Sequence, residues 1–156
     1  MTLDQIPPEF LAGLFLLWLV SSIVYRRQTA KPLVATVLPD ANFTEKWVST
    51  RIGTGLLARL GTARNCVHVQ VTTTELRIHP HFPFTLGFMP EIYDLDHAIP
   101  LAKIRSATIL SDGRAKAVEV GFTRRNGNDE TAQLLLRNAD AFVNAVLARR
   151  TDAQPS

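Results

Sequence analysis

Sixteen consecutive residues without a charge run from Phe10 to Tyr25 and stop against Arg26 and Arg27. No other stretch of this chain is as long and as apolar. Counted from Pro8 the run gives 18 positions if Glu9 lies at an interface. As a helix it would reach about 27 Å, close to the hydrocarbon thickness of about 30 Å. Pro7 and Pro8 suit a helix start, where the first N–H groups lack partners in any case, and Glu9 meets the positive end of the helix dipole. Tyr25 falls beside the arginines, where an aromatic ring suits a membrane interface.

Three structures accommodate such a segment: a transmembrane anchor, a cleaved signal peptide, or a buried core helix. A signal peptide wants positive charge before the apolar run and small residues after it. The order here is reversed, with Asp4 and Glu9 ahead and Arg26, Arg27 and Lys31 behind, so the anchor is the expectation. The positive-inside rule then predicts a single-pass protein of the cell membrane, N-terminus outside and C-terminal domain cytoplasmic. The single Cys66 agrees with a reducing compartment. The anchor residues are Phe10, Leu14, Trp18, Ser22, Tyr25, Arg26 and Arg27. Leu11, Leu14, Trp18, Ser22 and Tyr25 share one helical face. Trp18 sits near mid-span, where its indole N–H finds no lipid partner, so this face is expected to meet either another transmembrane helix or plain lipid.

The remaining roughly 125 residues suffice for one domain with its own core. Charge is unevenly placed. Two acids and no basic side chain precede Arg26, eight bases face three acids between Arg26 and Pro80, and the rest is balanced, nine against nine. The excess therefore lies in the half nearest the proposed bilayer, where anionic lipid headgroups are a possible contact. Single, scattered bases without interleaved aromatics do not make a nucleic-acid footprint.

The expected division is an anchor with its flank over 1–27, a juxtamembrane tether over 28–44, a domain over 45–150 and a disordered tail over 151–156. A first strand is expected from Glu45 to Ile52, with Trp47 as a core anchor. Val67, Val69 and Val71 alternate with His68, Gln70 and Thr72, the period of a strand with one buried face. Thr73, Thr74 and Glu75 turn the chain, and Leu76-Arg77-Ile78 completes a hairpin. Further strands are expected near Tyr93 to Ile99, Ala107 to Leu110, Ala117 to Phe122 and Thr131 to Arg137. Ser111-Asp112-Gly113 and Asn126-Gly127 supply turns. From Asn138 the period becomes helical, with Phe142, Val143, Val146 and Leu147 on one face.

Six or seven short antiparallel strands followed by one amphipathic helix define an α+β domain in which the helix covers the open end of a bent sheet. This pattern resembles the pleckstrin-homology-like superfold, especially the GRAM-related and small bacterial PH-like domains. The resemblance rests on the hairpin Val67–Thr72 to Leu76–Ile78, the Ile99-Pro100-Leu101-Ala102-Lys103-Ile104 element, Val118 to Phe122, and Leu134 to Leu147. It covers roughly Trp47 to Arg150. It implies an antiparallel β-barrel or split sheet capped by the C-terminal α-helix; a lipocalin-like or other small barrel is the alternative. It implies no single activity, because the superfold hosts lipid binding, peptide binding and scaffolding. Phosphoinositide-binding members carry closely spaced Lys and Arg at the first hairpin loop, whereas Arg51, Arg59 and Arg64 here stand five or more residues apart.

No catalytic residue, metal ligand or cofactor is expected. His79, His81 and His97 could converge as a three-nitrogen site, but Cys66 and the nearby acids show no recognised ligand spacing, and edge histidines beside prolines are common. Cys66 and His68 share a strand face at about 7 Å, too far for activation of the thiol. Gly53-x-Gly55 lacks the spacing and Lys-Ser/Thr ending of a phosphate loop. Phe82, Phe84, Leu86 and Phe88, all of one parity, with Met89 beside them, form the remaining constellation. In an extended segment the three rings project from one face, while Pro80, Pro83 and Pro90 remove donors and favour an edge or loop. Two readings stand: the rings fill the core, or they form an exposed patch that touches the membrane or a partner. The expected function is a membrane-anchored, non-enzymatic interaction module. The alternatives are an accessory subunit of a larger membrane protein complex and a metal- or ligand-responsive sensor or enzyme.

Overall fold

A computed structural model of the chain describes residues 7–29, 31–34, 36–52, 63–86, 95–110, 116–124 and 126–152. Helix α1 spans Pro8–Gln28, with Pro at its first position, Glu9 in its first turn and Arg26 and Arg27 in its last. It is long and apolar enough to cross a membrane. Seven strands follow among the described residues: β1 (Phe43–Ile52), β2 (Ala63–Val71), β3 (Glu75–Pro80), β4 (His97–Pro100), β5 (Ile104–Ile109), β6 (Lys116–Thr123) and β7 (Asp129–Leu136). Helix α2 (Ala139–Asp152) ends the fold. The architecture is α+β, as expected from the sequence.

The strands form one antiparallel sheet in the order β4-β3-β2-β1-β7-β6-β5. Its two edges, β4 and β5, are joined by only a 3-10 turn, Leu101–Lys103. Three residues at about 2 Å each span some 6 Å, so the sheet must curl until its edges nearly meet. The His97 ring stands edge-on to Phe122 with centroids 6.3 Å apart, marking that approach. The edges do not pair, so the sheet is split rather than a closed barrel.

Inside the curl lie Val67, Val69, Val71, Leu76 and Ile78 from β2 and β3, facing Val118, Val120, Phe122, Leu134 and Leu136 from β6 and β7. Helix α2 lays Ala139, Phe142 and Val146 on this core, and Phe142 meets Phe43 edge-on at 5.4 Å. Leu147, expected on the same face, is exposed. Glu45 accepts hydrogen bonds from the Arg137 and Asn138 N–H groups at 2.7 and 3.1 Å, fixing the chain just before α2. The β6–β7 turn places Gly127 at φ 85°, where a side chain would be strained.

Several expectations need correction. The first strand begins at Phe43 rather than Glu45, and Trp47 is not a core anchor. Between Glu45 and Val48 β1 carries a bulge, one extra residue against β2. The bulge switches the inward parity from Phe43 to Val48 and Ile52, leaving Trp47 55% exposed. Trp47 adopts φ 61°, a left-handed conformation that costs a side-chain-bearing residue about 1–2 kcal/mol. The last strand runs Asp129–Leu136 and β5 starts at Ile104, because both pair along β6. Strand β4 covers His97–Pro100, and the expected start at Tyr93 lies outside the described residues. Helix α2 continues through Thr151 and Asp152, placed in the tail by the sequence reading.

The stretch expected to be a tether is pinned to the sheet. Gln70 donates through Nε2 to the Thr36 carbonyl at 2.8 Å and accepts the Leu38 N–H at 2.9 Å. Asn42 N–H donates to the Val71 carbonyl at 2.8 Å, and Thr85 Oγ1 donates to the Leu33 carbonyl at 2.8 Å. The segment thus roofs the outer face of β2 and β3, burying His68, Gln70, Thr72 and His79 there.

Candidate functional site

The side chains with most chemistry gather where α1 ends against this outer face. Arg26 emerges from the last turn of α1 and is fully buried. Its guanidinium donates to the Pro32 carbonyl at 3.0 Å and lies 3.9 Å from the Asp96 carboxylate. The other oxygen of Asp96 is 2.9 Å from His79 Nδ1. An ionised carboxylate only accepts, so His79 Nδ1–H is the donor. Burial works to raise the Asp96 pKa, but the hydrogen bond from His79 and the charges of His79, Arg26 and Lys31 outweigh it and hold the carboxyl below its ordinary value. Asp96 therefore stays charged and joins the helix end to the sheet.

Beside this latch, His68 is fully buried between Gln70 and Thr44. Its Nδ1 lies 3.3 Å from Gln70 Nε2, and its Nε2 lies 2.7 Å from Thr44 Oγ1. The amide N–H donates to Nδ1, which places the ring proton on Nε2 and makes Thr44 the acceptor. Burial first, then the charges of His81, Lys46 and His79, push the His68 pKa down to about 4. A stack continues outward from it: His68 to His81 at 5.4 Å, then His81 to Trp47 at 4.6 Å with planes 18° apart. Burial, Lys46 and His79 also lower the His81 pKa.

Phe82 and Phe84 follow His81 in a turn, not in an extended strand. Their rings are 54% and 38% exposed, which rules out the core reading for these two. Phe88 and Met89 lie outside the described residues. On α1, Phe10, Leu14, Trp18 and Tyr25 are exposed, as is Arg27, whereas Ser22 and Arg26 are completely buried. The face expected to run from Leu11 to Tyr25 is therefore interrupted at Ser22, which the protein itself covers. Lys31 Nζ lies 5.8 Å from the centre of the Tyr25 ring.

His79, His81 and His97 do not converge: the first faces Asp96, the second stacks on Trp47 and the third meets Phe122. Among the described residues no group of three potential ligands is placed to hold a metal ion. Burial raises the Cys66 pKa, so this thiol is not activated as a nucleophile. An open cleft of about 450 Å³ lies between β4 and the end of β6, lined by His97, Ile99, Lys103, Phe122 and Arg124. Arg124 there pairs with Glu130 at 2.6 Å.

Sequence reasoning missed Gln70, Asp96 and Glu45. Gln70 sits at a position expected to face solvent, and its partners in the roofing segment are over thirty residues away. Asp96 carries no local signal at all. Comparison with protein-family models and with curated proteins gives no match for this chain.

Proposed function

We propose that this chain is a membrane-anchored, non-enzymatic interaction module, with α1 crossing the bilayer and a PH-like domain held at the cytoplasmic surface of the inner membrane. The observation that carries the proposal is the join between the two parts. An apolar helix with exposed phenylalanines and leucines ends in a buried Arg26, locked to the domain through Pro32 and Asp96. The split seven-stranded sheet, with its C-terminal helix over the core, supports the PH-like reading. Exposed Arg27, with Lys31 close behind, supports the orientation. The same basic flank suits anionic headgroups.

Alkaline extraction of membranes from a bacterial host, paired with a C-terminal alkaline phosphatase fusion, tests both parts. The full chain is expected to stay in the membrane pellet, and the fusion is expected to be inactive. Extraction into the supernatant would overturn the span, and an active fusion would overturn the orientation.

Trp18 favours a second reading, an accessory subunit of a membrane protein complex. Its ring is exposed and packs only obliquely on Phe15, centroids 5.9 Å apart. Stoichiometric co-purification with a multi-span protein, lost in Trp18→Leu, would establish that role. An isolated monomer in mild detergent would remove it.

A further inference from the structure

The depth at which the domain meets α1 constrains where the domain lies. Ser22 and Arg26, one turn apart, are both completely buried, and Leu19 and Ile23 between and before them are half-covered. One face of the last two turns of α1 is therefore packed against protein. From Pro8 to Ser22 the helix rises about 21 Å, well short of a hydrocarbon layer of about 30 Å. A helix that crosses the bilayer reaches this packed face before it has left the leaflet, so the protein packed there must enter the leaflet's outer zone.

The parts of the domain bound closest to the helix end are identifiable. Arg26 holds Pro32, and the neighbouring Leu33 carbonyl is held by Thr85. Around this junction Val34, Phe82 and Phe84 are exposed, and Trp47 joins them by stacking on His81, the residue before Phe82. Exposed Lys46 adjoins Trp47 in the chain, and exposed Arg27 lies in the last turn of α1. Indole rings favour the membrane interface, and basic side chains beside them favour anionic headgroups. The bulge that forces Trp47 into a left-handed backbone turns its indole away from the core and onto this rim.

We propose that the domain docks on the bilayer, with Trp47, Phe82 and Phe84 inserted into the interfacial layer of the leaflet from which α1 emerges. The docking rests on the span proposed above. Its occupant is the lipid surface, because the rim is continuous with the end of the membrane helix and carries the matching charge.

The sequence contains two tryptophans, Trp18 and Trp47, so each can be observed alone. Full-length Trp18→Phe protein is reconstituted in phosphatidylcholine–phosphatidylglycerol vesicles containing lipids brominated at shallow or deep acyl positions. Trp47 emission is expected to be blue-shifted and quenched more strongly by the shallow bromines. Replacing Phe82 and Phe84 by Ser in that background is expected to red-shift it, with circular dichroism unchanged. Should the double replacement unfold the domain, the depth profile of the unaltered rim decides alone. Full-length Trp47→Phe protein supplies the control, since Trp18 must be quenched by the deep bromines if α1 spans. Quenched Trp18 with Trp47 open to aqueous iodide and untouched by bromine would overturn the docking and leave the span intact. Both tryptophans unquenched by bromine would overturn the span and the docking with it.

Discussion

Helix α2 turns Ala139, Phe142 and Val146 into the sheet and leaves Asp140 and Asn144 outside, whereas α1 exposes Phe10, Phe15, Leu16 and Leu17 and hides Ser22 and Arg26. Both helices obey the same rule of matching each face to its surroundings. Helix α2 matches water outside and hydrocarbon side chains inside. Helix α1 is inverted, a pattern suited to an apolar medium, with its polar residues gathered where the domain supplies partners. The difference also separates two sources of stability: apolar burial under α2, and charge pairing with hydrogen bonds at the end of α1.

The comparison breaks most directly at Phe142. Phe142→Ala is expected to cost about 3–5 kcal/mol of domain stability, read from denaturant titration of the full chain in detergent micelles. Phe15→Ala is expected to leave that transition where it was. Equal losses would make α1 a core helix like α2.

The pH dependence sharpens the contrast next. The His68 ring is held neutral in the fold, with a pKa of about 4, while an unfolded chain protonates it near 6.5. Stability is fully present above pH 6.5 and falls as acid is added, because only the unfolded state takes the proton, until the loss levels off near pH 4. The expected loss across that window is about 3 kcal/mol. Urea midpoints between pH 7 and 4 check it, with His68→Gln expected to flatten this part of the curve. A wild-type curve as flat as that of the variant would show a charged His68 in the folded protein.

The smallest effect is expected at Gln70. Gln70→Ala removes both amide contacts to the roofing segment and should cost about 1–2 kcal/mol. Hydrogen exchange should report it as lost protection at the Leu38 amide, while the amides of β2 keep theirs. Loss of protection throughout β2 would mean that the segment supports the whole sheet.

The domain's outline was legible wherever local pattern determines structure. The alternation in Val67, Val69 and Val71 fixed the hairpin face, and three- and four-residue spacing found Phe142 and Val146. Trp47 misled because a bulge is a property of two strands: nothing in Glu45 to Val48 alone reveals that β2 advances by one residue fewer. Arg26 reads locally as part of a basic flank for headgroups, yet its carboxylate partner lies seventy residues away in sequence. Gln70 and Thr85 look like ordinary polar positions until the segment from Leu33 to Leu38 folds back on them. Apolar periodicity announces itself locally, whereas polar contacts between distant segments do not.

The roof over β2 and β3 also sets how widely the domain can range. Fourteen unattached residues from Thr29 through Asn42 would give an end-to-end distance of roughly 20 Å and let the domain range widely relative to α1. Pinned at Pro32, Leu33, Thr36, Leu38 and Asn42, the same residues act as a bracket. Every face of the sheet is then offered at one height and one angle to the helix axis. On the membrane-anchored reading proposed above, a second protein meeting this chain side by side would find its contact surface already aimed, and the local concentration of that surface would be set by the bracket's geometry.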